Sequence, residues 1–129
     1  MTAMLLAMSI QAAVLAAFVL GAISVVQLAA AAGRPWGRFV WGGQHEVLPR
    51  RLRIGSAVSV VVYVVMAAAL IARATGIERA LGVVVWVLFG YFTLGVLVNA
   101  VSRSPSERAV MTPACVVLAA CSFVVAMGD

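Results

Sequence analysis

Four stretches without a charged side chain dominate this chain: residues 1–33, 54–72, 80–102 and 109–128, of 33, 19, 23 and 20 residues. A helix needs about 20 apolar residues to cross the roughly 30 Å hydrocarbon core of a bilayer, and each stretch reaches that length. The sequence therefore predicts an all-α fold, a polytopic membrane four-helix bundle with spans at about 2–32, 54–72, 80–102 and 110–127. Charges fall only in the connections 34–53, 73–79 and 103–108 and at Asp129. Only 10% of residues are charged, against about 25% in soluble domains. A soluble globule is excluded, and residues 1–129 read as a single membrane domain. A β-barrel would alternate apolar and polar residues, whereas Val58–Ala69, apolar but for Ser59, and Leu81–Phe89 show no such alternation. Helices are the other way to satisfy every backbone group in lipid.

The first stretch reads as a span and not as a cleaved leader. Ala29–Ala32 resembles a small-residue cleavage site, but no basic segment precedes it, and the apolar run is about twice a typical leader's.

The net charge of +5 comes from nine Arg and no Lys against four acids. A basic balance alone suggests nucleic acid. Here the arginines flank apolar spans, so the expected partners are the lipid bilayer and its anionic head groups, with no nucleic acid. Seven of the nine (Arg34, Arg38, Arg50, Arg51, Arg53, Arg103 and Arg108) lie in the first and third connections. Arginine bias retains short loops in the cytoplasm. It predicts a multi-pass protein of the inner membrane, with loops 33–53 and 103–109 cytoplasmic and both termini outside.

The first connection is no ordinary linker. Trp36, Phe39 and Trp41 have the character of interface anchors. Gly42-Gly43 permits a tight turn, and Val47, Leu48 and Leu52 interleave with arginines. Two readings stand: an interfacial loop lying in the head-group layer, or a binding loop with its own fold. Elsewhere, Ala13, Ala17 and Gly21 form a small-residue stripe suited to close packing. Spans two and three should form a hairpin about the short second connection. Ser56, Ser59 and Tyr63 share one face, and Pro113 falls in the first turn of span four. Gln27 and Asn99 end the first and third spans, each followed by a related phrase, Arg34-Pro-Trp-Gly-Arg38 or Arg103-Ser-Pro-Ser-Glu-Arg108. This hints at two hairpin repeats, against the simpler account of chance in a low-complexity sequence.

The middle of every span lacks Asp, Glu, Lys, Arg and His, the groups that ion-coupled pumps place within the membrane. Cys115 and Cys121 are six residues apart, so on a helix they point to different faces and form no redox pair. His45 is the sole histidine, too little for a metal site. No cofactor motif occurs. What remains is a polar cluster at the Arg-rich end: Gln27, His45, Glu46, Arg50, Arg53, Ser56, Asn99, Ser102, Arg103 and Glu107. In one reading Glu46 and Glu107 neutralise arginines while Gln27 and Asn99 bond between helices. In the other the cluster is a pocket for an anionic head group, with arginines in bidentate contact. His45 and Glu46 as an acid–base pair go a step further.

The phrases Trp41-Gly-Gly-Gln-His45, Leu48-Pro49, Arg53 and Ser56 carry a resemblance, as do Asn99, Ser102-Arg-Ser104, Glu107 and Met111-Thr-Pro113. The chain resembles an uncharacterised family of small bacterial four-span integral membrane proteins. The resemblance implies the four-span fold and marks these loop residues; it implies no activity, cofactor or catalytic residue.

The reading placed first is a non-catalytic structural or partner-binding membrane module. Its Arg-rich cytoplasmic face would contact anionic lipid, and its partner would be a second copy or another membrane protein. The alternatives are a small-molecule or lipid transporter using a polar pocket at that face, and a membrane enzyme acting on a lipid head group. A deep cavity lined by Gln27, Ser59, Tyr63 and Asn99 would favour transport. His45 and a Glu converging on arginines would favour an enzyme, and a dry Ala/Val/Gly interior the structural role.

Overall fold

With no charge to interrupt them, the apolar stretches run as long helices whose ends are set by local chemistry. A computed structural model describes residues 2–128. Helix α1 spans Ala3–Ala31, α2 Arg50–Ala74, α3 Gly82–Ala100 and α4 Pro105–Met127, with single 3₁₀ turns at Gly37–Phe39, Trp41–Gly43 and Arg79–Leu81. Among the described residues, four helices are long and apolar enough to cross a membrane.

Thr2 caps α1, its hydroxyl oxygen accepting from the Leu5 N–H. Gly33, at φ +86°, ends it. The Arg34 N–H reaches the Ala29 carbonyl and the Gly33 N–H that of Ala30, the paired bonds that close a helix on a left-handed residue. Helix α4 begins five residues before the expected span. Ser104 caps it, Pro105 occupies the first turn and Glu107 the third position, so Pro113 lies well inside the helix. The first-turn preference of proline is met by Pro105.

The buried residues of α1 are Ser9, Ala13, Ala16, Leu20, Ile23, Gln27 and Ala30. Steps of three and four give the narrow seam of coiled-coil packing. The expected Ala13–Ala17–Gly21 stripe is not the seam: Gly21 is exposed, and a Cβ there would meet nothing within 4 Å. Steps of four rotate steadily off a face that packs every 3.5 residues.

Packing runs in the order α2, α1, α4, α3: α1 lies against α2 and α4, and α4 against α3. Helices α2 and α3 are joined by a short turn but make little contact along their length. The expected hairpin of spans two and three is therefore present in connectivity only. Outward faces are apolar: Phe18 is 75% exposed and Val83 74%. In water such patches would mark an interface; in hydrocarbon they are solvated.

Candidate functional site

The space left between α2 and α3 is a cavity of about 360 Å³. Its inner wall comes from Ile23 and Gln27 of α1 and Met111, Cys115 and Leu118 of α4. Ser59 and Tyr63 of α2 face Tyr91, Leu94, Gly95 and Asn99 of α3 across it. Tyr91 and Leu94 are more than half exposed and form its rim. Phe39, Val40 and Trp41 close the Arg-rich end. Pockets of roughly this size upward, apolar with a few placed polar groups, are where proteins bind small ligands.

The closing segment has a fold of its own. The Gly37 N–H donates to the Glu46 carbonyl at 2.8 Å, and a Cβ on Gly37 would lie 1.9 Å from the His45 carbonyl oxygen. Trp41, Gly42 and Gly43 are all left-handed, at φ +52°, +74° and +69°. Left-handed backbone strains a tryptophan, and tertiary contacts hold this one in place. Its indole Nε1–H donates to Ser56 Oγ at 2.9 Å, with Ser56 fully buried. Its ring lies where a Cβ on Gly55 would be, 2.7 Å away. The turn presents the Gly42 N–H to the Glu107 carboxylate at 3.2 Å, and the Ser102 hydroxyl donates to the same carboxylate. Ser104 ties the segment to α4 by donating to the Arg38 carbonyl.

Glu107 is thus 7% exposed and lines the cavity, with a hydroxyl and a backbone amide as partners. Among the described residues no arginine pairs with it. Gln27 Nε2 donates to the Tyr63 hydroxyl at 3.3 Å, and Gln27 Oε1 is buried with no partner among the described residues. Asn99 Nδ2 donates to the Gly95 carbonyl at 2.8 Å and lies 3.5 Å from Cys115 Sγ.

The ten-residue polar cluster divides. Gln27, Asn99 and Glu107 meet in the cleft, while Ser56 and Ser102 stand behind it, holding Trp41 and Glu107. Arg53 caps α1, its Nε donating to the Ala31 carbonyl at 2.9 Å. Arg103 lines a second, open cavity with Arg38, Gln44 and Ser104. Arg50 is exposed in the first turn of α2. His45 and Glu46 line neither cavity, and among the described residues their side chains make no hydrogen bond or ion pair. Of the three rings, Trp36 and Trp41 are both exposed; Trp36 stands at the edge of Phe39, and Phe39 and Trp41 line the cleft's Arg-rich end. Among the described residues no group of three His, Cys, Asp or Glu could hold a metal.

Sequence reasoning missed Tyr91 and Cys115 as lining residues, although Tyr91, Gly95 and Asn99 recur every fourth residue and so share a face of α3. Comparison with protein-family models, curated proteins and solved structures finds no match for this chain.

Proposed function

We propose that this protein binds an amphiphilic small molecule or lipid in the cleft between α2 and α3, as a carrier or transporter and not as a purely structural module. One observation carries the reading: Gln27, Ser59, Tyr63 and Asn99 line a single cavity whose rim faces outward between two poorly packed helices. An apolar chain can enter there from hydrocarbon and meet polar groups only at the Arg-rich end. The enzyme reading loses support, because His45 and Glu46 stand apart from both cavities. We place the protein in a bacterial inner membrane with the Arg-rich end cytoplasmic, on the strength of the arginine distribution. Arg50 and Arg51 are exposed in the first turn of α2, which no side chain caps. Such a helix end with added positive charge suits anionic head groups.

Native mass spectrometry of the protein purified in mild detergent tests this. The wild type should retain a bound amphiphile, and Ser59→Phe, which fills the cleft, should lose it without a change in melting temperature. An identical adduct pattern in both proteins would remove the cleft from consideration.

A further inference from the structure

At the cleft's polar end several donors are engaged while oxygen acceptors are left over. Gln27 Nε2 is committed to Tyr63, Trp41 Nε1 to Ser56, the Ser59 hydroxyl to the Gly55 carbonyl and Asn99 Nδ2 to the Gly95 carbonyl. Three oxygen acceptors remain. Gln27 Oε1 is buried and unpartnered, in a residue only 7% exposed. Asn99 Oδ1 accepts no hydrogen bond among the described residues. Among the described residues the Glu107 carboxylate has only its two neutral donors. An unpartnered buried acceptor is costly until something donates to it.

The charge points the same way. Among the described residues Glu107 is the one charged residue lining the cavity, and no arginine pairs with it. Rings of Phe39, Trp41, Tyr63, Tyr91 and Phe92 make up much of the wall, and aromatic faces attract cations. An anionic head would meet a carboxylate, and the donors left to it are neutral: the Tyr63 and Tyr91 hydroxyls and the second N–H of Gln27. A protonated primary amine has three N–H donors, matching the three acceptors.

Building on the cleft as a binding site, we infer that its ligand is a primary-ammonium amphiphile, its head among Gln27, Asn99 and Glu107 and its chain leaving between α2 and α3. The arginines are not part of this site: Arg38 and Arg103 line the other cavity, across the Gly42–Gly43 turn.

The test uses the full chain in nanodiscs doped equally with dodecylammonium, dodecyltrimethylammonium, dodecanol and dodecyl phosphate, read by native mass spectrometry. Dodecylammonium should be retained at least tenfold over the other three. Glu107→Gln removes the charge while its Oε1 can still accept from the Gly42 N–H and its amide NH2 can donate to the Ser102 hydroxyl. Gln27→Met removes the unpartnered oxygen at similar volume. Each should cut dodecylammonium retention about tenfold at unchanged melting temperature; two variants on different helices, α1 and α4, guard against one misfolding. Equal retention of the trimethylammonium or of dodecyl phosphate overturns the inference, as does indifference to both substitutions, while leaving the cleft a binding site. No retained chain of any kind overturns the binding site itself.

Discussion

At the scale of single residues, the decisive positions are glycines and one tryptophan in the first connection. Gly42 and Gly43 are both left-handed, but their surroundings differ. A Cβ on Gly42 meets only Gln44, at 3.9 Å, whereas one on Gly43 would lie 2.3 Å from Ser104 Cβ. Gly42→Ala should therefore cost about 1–2 kcal/mol of left-handed strain. Gly43→Ala should cost at least about 3 kcal/mol, because the helix cap must also move. Chemical unfolding in micelles measures both, and equal costs would contradict the packing of the turn on α4. Ser56→Ala removes the acceptor of the Trp41 indole N–H, for a loss of about 0.5–1.5 kcal/mol, with a shift in indole emission. The sequence marked Gly42-Gly43 as a turn, Ser56 as polar and Trp41 as an interface anchor; Trp41 is exposed and is also tied to Ser56. Its indole partner lies 15 residues away on α2, and nothing local announces such a pairing.

At the scale of elements, helix existence was legible because an uncharged stretch of about 20 residues has few alternatives in lipid. Helix faces were harder. When nearly every residue is apolar, periodicity carries little signal, and the seam on α1 is told apart by small residues and by Ser9 and Gln27. The seam makes a clear prediction. Ala16 is fully buried and Ala22 exposed. Ala16→Leu should destabilise by about 1–3 kcal/mol through overpacking, and Ala22→Leu by less than about 0.5 kcal/mol. The start of α4 was misjudged for a related reason. Hydropathy ends a span at the first charge, whereas Ser104, Pro105 and Glu107 form a cap that carries the helix past it. That extension brings Glu107 under the loop, where it becomes a buried carboxylate instead of a head-group charge.

At the scale of the whole molecule, the bundle is two well-packed hairpins, α1 with α2 and α3 with α4, joined through α1 and α4. If the two hairpins were equivalent, α2 and α3 would pack as α1 and α4 do; the cleft lies where that second interface would be. Gln27 and Asn99 sit on either side of it, each donating across its own hairpin. The order of packing was beyond sequence reasoning, since all four helices offer apolar faces. Orientation belongs to this scale as well. With Cys115 and Cys121 replaced by Ala, Thr75→Cys should react with an impermeant thiol reagent from outside intact cells, and Arg103→Cys should not. Arg103 is the better probe than its neighbour Ser104, which is buried. Outside labelling at Arg103→Cys reverses the topology.

The account depends most on the gap between α2 and α3 being open to hydrocarbon. A nitroxide at Ser59→Cys, in the same cysteine-free background in a bilayer, tests this through its collision rates with oxygen and with a nickel chelate. Oxygen access should approach that of a label at Val61, on the exposed face of α2, with little access for the chelate, and should fall when dodecylammonium is added. A label shielded from oxygen as completely as one at Ala13, in the α1 seam, would show that the two helices close and that no such cleft exists.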